Sequence, residues 1–180
     1  MAESRSYFIA LGANLGDREG TLREGWKRLK PFCHGMRLSR IYETRPMYVS
    51  DQPNYLNAVG EISTQAGPPE LLEILHRIER DLGRDRSREI RMGPRTLDLD
   101  ILLCGNLVLD TPTLVIPHPR LAERLFALVP LLELSPLLTD PRTGRGLAEL
   151  VTALRAHPGA EEGVYLYSPG DYTQPSNRKP

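Results

Sequence analysis

The sequence predicts an α+β fold: a ferredoxin-like split βαβ sandwich, with a mainly antiparallel sheet, helices packed on it and long loops. Three observations carry this. Elements succeed one another as strand, helix, strand, strand, helix, strand. Strand segments alternate apolar and polar residues at period two, and helical segments repeat their apolar residues every three to four positions. The 180-residue length, with 40% hydrophobic and 26% charged residues, suits one globular domain with a single sizeable core.

Tyr7 to Leu11 reads as the first strand, closed by Gly12-Ala13-Asn14-Leu15-Gly16. A helix starts near Asp17, carries Leu22, Trp26 and Leu29 on one face, and ends before Pro31. Met36 to Tyr42 and Tyr55 to Ser63 are the next two strands, joined by the long connection Glu43 to Asn54 with Pro46 and Pro53. Gly67-Pro68-Pro69-Glu70 opens a second helix, with proline in the first turn and an acid at the positive dipole end. Leu71, Leu75, Ile78 and Leu82 form its buried stripe, and Gly83 stops it. The strand Leu97 to Leu103 follows, then a turn at Gly105-Asn106 with Leu107 to Leu109 returning as a short strand. Leu121 to Leu134 gives one or two short apolar helices broken by Pro130, and Leu147 to Leu154 another. The domain spans 1–157; from Pro158 to Pro180 the Gly, Pro and polar content predicts a poorly ordered tail.

Formal net charge is zero, so no global field draws the molecule to nucleic acid or an anionic membrane. The two cysteines, Cys33 and Cys104, read as free thiols, which suits a reducing cytosol. No stretch has the pattern of a signal peptide or the length of a membrane span, so a cytoplasmic location is expected.

Chemistry concentrates around one strand. In Leu97 to Leu103 the side chains alternate, so Asp98 and Asp100 emerge on the same face, roughly 7 Å apart. On an arbitrary strand such acids merely keep a surface soluble. Here the strand is otherwise apolar, and two adjacent carboxylates repel unless a cation joins them. Magnesium, held by one or two carboxylates plus substrate phosphates, is the favoured reading. Just upstream, residues 83–95 carry the five arginines Arg84, Arg86, Arg88, Arg91 and Arg95. Guanidinium groups fork onto phosphate oxygens, and a loop bearing them suits a lid over a polyphosphate. Tyr55 and Asn57 share a strand face, an amide beside an aromatic ring, able to read and stack on a heterocycle; a turn asparagine and a core tyrosine are at least as probable from these residues alone. His118, between Pro117 and Pro119, reads as a phosphate contact, although a lone histidine is more often structural. His76 and Glu79 share a helix face, and exposed polar surface is their default reading. Gly12 to Gly16 lacks the lysine of a P-loop and the spacing of a dinucleotide fingerprint, and no zinc spacing or serine elbow is present.

The segment Gly93-Pro94-Arg95-Thr96-Leu97-Asp98-Leu99-Asp100-Ile101 resembles the signature of the 6-hydroxymethyl-7,8-dihydropterin pyrophosphokinases of folate biosynthesis. Ala10 to Gly16, Asp51 to Asn57, and Pro117 to Arg120 with Arg124 and Phe126 match in the same order, over roughly Tyr7 to Leu154. The resemblance implies a transferase, a diphosphokinase that moves diphosphate from ATP to the pterin hydroxymethyl group and releases AMP. It implies long catalytic loops and two Mg²⁺ ions held, with ATP, by Asp98 and Asp100. It implies a pterin pocket of Thr44, Pro46, Met47, Tyr55, Asn57 and Phe126, with Tyr55 and Phe126 stacking on the two ring faces. ATP contacts fall to Arg84, Arg86, Arg91, Arg95, His118 and Arg124, with His76, Glu79 and Ile101 beside them. Arg84 and Arg95, with the two aspartates, form the catalytic set. The implied partners are ATP and the pterin alone, in a monomer. Two other readings stay open: an RNA-binding module of the same topology, which wants a basic face with exposed aromatics, and a catalytically silent ligand-binding relative.

Overall fold

The structure, a computed structural model, describes residues 3–46, 52–84, 93–156 and 163–168. Its centre is a six-stranded sheet in the order β5-β1-β4-β3-β8, with β2 also paired to β4. The strands are β1 (Arg5–Ala13), β2 (Gly35–Leu38), β3 (Tyr42–Thr44), β4 (Tyr55–Thr64), β5 (Asp98–Cys104) and β8 (Val164–Leu166), and every pairing is antiparallel. A separate hairpin joins β6 (Leu109–Asp110) to β7 (Val115–Ile116). The α+β expectation holds.

Among the described residues four helices cover both faces. α1 (Arg18–Arg28) begins where Asp17 accepts a hydrogen bond from the Gly20 N–H at 3.0 Å, satisfying one of the orphan donors of its first turn. α2 (Pro68–Asp81) takes its two prolines where no N–H is needed, and Gly83 leaves it at φ +90°, a conformation natural to glycine. With β1, β4 and β5 these helices bury one apolar cluster, including Ile9, Leu11, Leu22, Leu71, Leu75, Ile78 and Leu99. α3 (Leu125–Leu134) and α4 (Leu147–Ala156) bury the second on the opposite face, with Phe8, Val59, Leu102, Leu128, Leu131 and Leu147. Gly60 of β4 lies directly under Trp26; a Cβ there would overlap the indole ring. That close approach lets α1 lie flat on the sheet.

Four local expectations are corrected. The strand Met36 to Tyr42 divides, because Leu38 opposes Gly60 whereas Tyr42 opposes Asn57, one residue too many on the outer chain. Ser39 absorbs the excess: its N–H donates to Val59 O and its hydroxyl accepts from Val59 N–H. Second, the apolar helix is not broken at Pro130. α3 passes through it with the loss of one i→i−4 bond, and the division falls at Arg124, after a 3-10 turn at Leu121–Glu123. Third, the segment after Asn106 pairs later than expected, through Leu109–Asp110 rather than Leu107 to Leu109. Fourth, residues 158–180 are not tail throughout. Val164–Leu166 extends the sheet beside β3, and Tyr167 N–H donates to Ile41 O.

Candidate active site

β5 places Asp98 and Asp100 on the face that α3 and α4 cover farther along the strand. Their neighbours across β1 are Gly12 and Ala10. Next in the same row comes Asn57 of β4, opposite Gly12. Two small residues therefore separate the carboxylates from the amide, and the space above them is open. It forms a cavity of about 270 Å³. Asp98, Asp100, Arg95 and Arg124 line one end, and Thr44, Tyr55, Asn57 and Phe126 the other. Eight predicted site residues thus share one cavity. Sequence reasoning did not assign Ala10, Gly12, Arg45, Gln52 or Arg120, which line it as well. Their signal was present, since all but Arg45 fall inside the matched motifs.

At the aromatic and amide end the side chains are fixed by hydrogen bonds. Asn57 Nδ2 donates to Thr44 Oγ1 at 2.7 Å. The Tyr55 hydroxyl lies 3.2 Å from Gly93 O and 3.3 Å from Gln52 Oε1, so the ring is held by both flanking loops. Asn14, 1% exposed and inside the Ala10–Gly16 motif, ties three segments together. Its amide donates to Gln52 Oε1 and Pro53 O, its Oδ1 accepts from Arg95 N–H at 2.7 Å, and its own N–H donates to Arg95 O.

The charged end is a lattice of guanidinium and carboxylate. Arg95 Nη1 reaches Asp98 Oδ2 at 2.8 Å, and Arg84 Nη1 reaches Asp98 Oδ1 at 2.6 Å. Burial pushes the Asp98 carboxyl up, but Arg95 and Arg84 outweigh it and hold the group below its ordinary range. Asp100 goes the other way. Burial and the neighbouring Asp98 charge raise it to about 6, against the pull of Arg124, whose Nη1 lies 3.2 Å from Asp100 Oδ2. Arg124 also stands over the Phe126 ring, 5.5 Å from its centroid, and its buried Nε has no acceptor among the described residues. His118 Nε2 lies 3.7 Å from Asp100 Oδ2. Its Nδ1 accepts the Arg120 N–H at 3.1 Å, and its Nε2 also lies 3.4 Å from Arg124 Nη1. Burial, with Arg124 nearby, lowers its pKa to about 4, so the ring is neutral at pH 7.

Other predicted residues stand elsewhere. Arg84 is buried beneath the cavity, paired with Glu79 and Asp98. Glu79 is not exposed polar surface: it is fully buried, because helix α2 turns it inward against β5, where it accepts the Leu99 N–H at 2.8 Å. The Ile101 side chain lies in the core, so only its main chain can meet a ligand. His76 is half-buried on a different groove, with Phe32, Glu70, Ile74, Arg77 and Arg80. Pro46 is half-buried beside β3 and does not line the cavity. Met47, Arg86 and Arg91 lie outside the described residues. Among the described residues no group of three or more His, Cys, Asp or Glu gathers as a self-sufficient metal cage. Two carboxylates suit a cation that completes its shell with substrate oxygens.

A carboxylate pair and arginines at one end of a cavity, with an aromatic and amide wall at the other, bear comparison with known proteins. The family profile described as 7,8-dihydro-6-hydroxymethylpterin-pyrophosphokinase matches residues 8–136. The chain belongs to that family. A Bacillus subtilis protein named 2-amino-4-hydroxy-6-hydroxymethyldihydropteridine pyrophosphokinase is 48% identical over 164 residues, covering 89% of this chain and 97% of its own. A Pseudomonas aeruginosa protein of the same name is 40% identical, covering 81% of this chain and 90% of its own. Family membership makes the chain a transferase acting in folate biosynthesis, by pyrophosphoryl transfer to hydroxymethyldihydropterin. An Arabidopsis thaliana folate synthesis bifunctional protein is 48% identical over 137 residues, which are 24% of its length. Among solved structures, wild-type Plasmodium falciparum HPPK-DHPS with pteroate superposes with a TM-score of 0.67 at 14% identity, over 84% of this chain and 42% of that one. That likeness shows the fold alone. Among the described residues no helix is long and apolar enough to cross a membrane.

Proposed function

We propose that the chain transfers diphosphate from ATP, with two Mg²⁺ ions, to the hydroxymethyl oxygen of 6-hydroxymethyl-7,8-dihydropterin, giving the pterin diphosphate and AMP. The observation that carries this is the shared cavity. Asp98, Asp100, Arg95 and Arg124 open onto the space that Thr44, Tyr55, Asn57 and Phe126 also line. Asp98 and Asp100 would hold the cations. When bound, magnesium supplies charge neutralisation at the phosphate oxygens and lowers the pKa of the acceptor alcohol.

The chain's own groups do the rest. Tyr55 and Phe126 stack on the pterin, and Asn57, oriented by Thr44, reads its hydrogen-bonding edge. Arg124, with a buried donor to spare, and Arg95 turn to the phosphates and stabilise the charge that spreads there during transfer. Neutral His118 presents its Nε2 beside Arg124 and Asp100 at the phosphate end. Arg86, Arg91 and His76 add nucleotide contacts. Glu79, with no exposed surface, makes none. The same reading takes the protein as a cytoplasmic monomer that binds neither nucleic acid nor membrane.

Asp98→Ala and Asp100→Ala test the assignment. Each is expected to abolish Mg²⁺-dependent AMP release while the circular dichroism spectrum stays that of the parent. Parental turnover in either variant overturns the cation assignment.

A further inference from the structure

Glu79 is a buried acid that the chemistry above leaves unused. Among the described residues β5 is an edge strand with no partner strand opposite Leu99 on its outer side, and α2 packs against it. The Leu99 N–H lies between the two aspartates. Glu79 Oε1 accepts it at 2.8 Å and so stands in for the missing strand. The same oxygen accepts from Arg84 Nη1, and that nitrogen lies 2.6 Å from Asp98 Oδ1. One carboxylate oxygen therefore meets both the backbone between the aspartates and the cation that faces one of them.

The charge consequence follows from the low dielectric of the interior. Arg84 is almost wholly buried, and an uncompensated guanidinium beside Asp98 would repel a divalent cation. Glu79 supplies the compensating charge from the far side, so Arg84 does not add a net positive charge behind Asp98, and Arg95 on Oδ2 is the guanidinium that a cation must displace there.

We propose that Glu79 is a positioning residue for the cation-holding pair: it pins β5 at Leu99 and balances Arg84, leaving Asp98 available to a metal ion. This inference rests on reading Asp98 and Asp100 as cation ligands.

Mn²⁺ binding to the full chain without nucleotide, read by electron paramagnetic resonance, tests it. Glu79→Gln keeps an acceptor for Leu99 but removes the charge. It is expected to weaken Mn²⁺ binding about tenfold, with the Leu99 amide still protected from hydrogen exchange. Glu79→Ala is expected to lose that protection as well. In an Arg84→Gln background, adding Glu79→Gln should change Mn²⁺ affinity by less than about twofold, because the effect runs through Arg84. Undiminished Mn²⁺ affinity in Glu79→Gln, an equal loss with and without Arg84, or full Leu99 protection in Glu79→Ala overturns the inference. Should Glu79→Gln fail to fold, the two Arg84→Gln chains decide: equal affinities support it and unequal ones overturn it. A parent chain that binds no Mn²⁺, or binds it equally well with Asp98→Asn, overturns the cation reading itself and the inference with it.

Discussion

Replacing Asp100 with asparagine should stabilise the metal-free protein while destroying its activity. The carboxyl is raised from 3.8 to about 6 by burial and by Asp98, so the folded state disfavours its ionised form. The cost is absent below about pH 4, grows between about pH 4 and 6, and is complete above that. A rise of that size corresponds to about 3 kcal/mol at about 1.4 kcal/mol per pH unit. The side chain keeps 35% of its surface in solvent, so water screens the repulsion. After that discount about 1–1.5 kcal/mol remains, a melting shift of roughly 2–5 °C for a chain of this size. Asparagine preserves the shape and still accepts from Arg124, without the charge. Urea unfolding in EDTA at about pH 8 should show Asp100→Asn more stable than the parent by that amount, and the gap should close at about pH 4. AMP release by the variant should fall to background. A variant no more stable than the parent at the higher pH, or a gap that persists in acid, refutes the reasoning. Asp100 would then be a net stabilising partner of Arg124.

Two further substitutions probe the scaffold. Gly12→Ala puts a methyl group 3.3 Å from Asn57 Oδ1, on the wall between the carboxylate and amide ends. Steady-state kinetics should show pterin KM raised about tenfold, the cost of one misfitted group in a pocket, with kcat changed far less. Gly60→Ala forces a Cβ into the Trp26 ring. Urea unfolding should show a loss of about 1–3 kcal/mol, with unchanged activity per folded molecule.

The parts of this molecule written in local pattern were legible in the sequence. Alternation placed Asp98 and Asp100 on one face of β5, and the motifs that hold Gly12, Tyr55, Asn57 and Phe126 put those residues in the same cavity. Capping residues fixed α1 and α2 at Asp17, Pro68 and Gly83. What escaped depends on contacts far apart in the chain. Glu79 falls four residues after Leu75 and three before Leu82, so its helix position borders the buried stripe, but an acid there reads as surface until the distant Leu99 N–H and Arg84 supply its partners. Arg84 reads as one more loop arginine, yet its N–H bonds back to Glu79 O and ends the helix. The division of β2 from β3 is a one-residue mismatch against β4, invisible without the partner strand. β8 joins the sheet by pairing with residues more than a hundred positions upstream, so its Pro- and Gly-rich surroundings read as tail. Pro130 misled because a single proline does not break a helix when apolar packing on both sides outweighs one lost hydrogen bond.

The central claim is that this site moves two phosphoryl units together. Phosphorus NMR of a reaction containing ATP, Mg²⁺, 6-hydroxymethyl-7,8-dihydropterin and the full chain reads this directly. The account predicts loss of the three ATP resonances with growth of one AMP signal and the two signals of a pterin diphosphate, in equal amounts and only when the pterin is present. Formation of ADP with a pterin monophosphate, or AMP formed equally without the pterin, would contradict it.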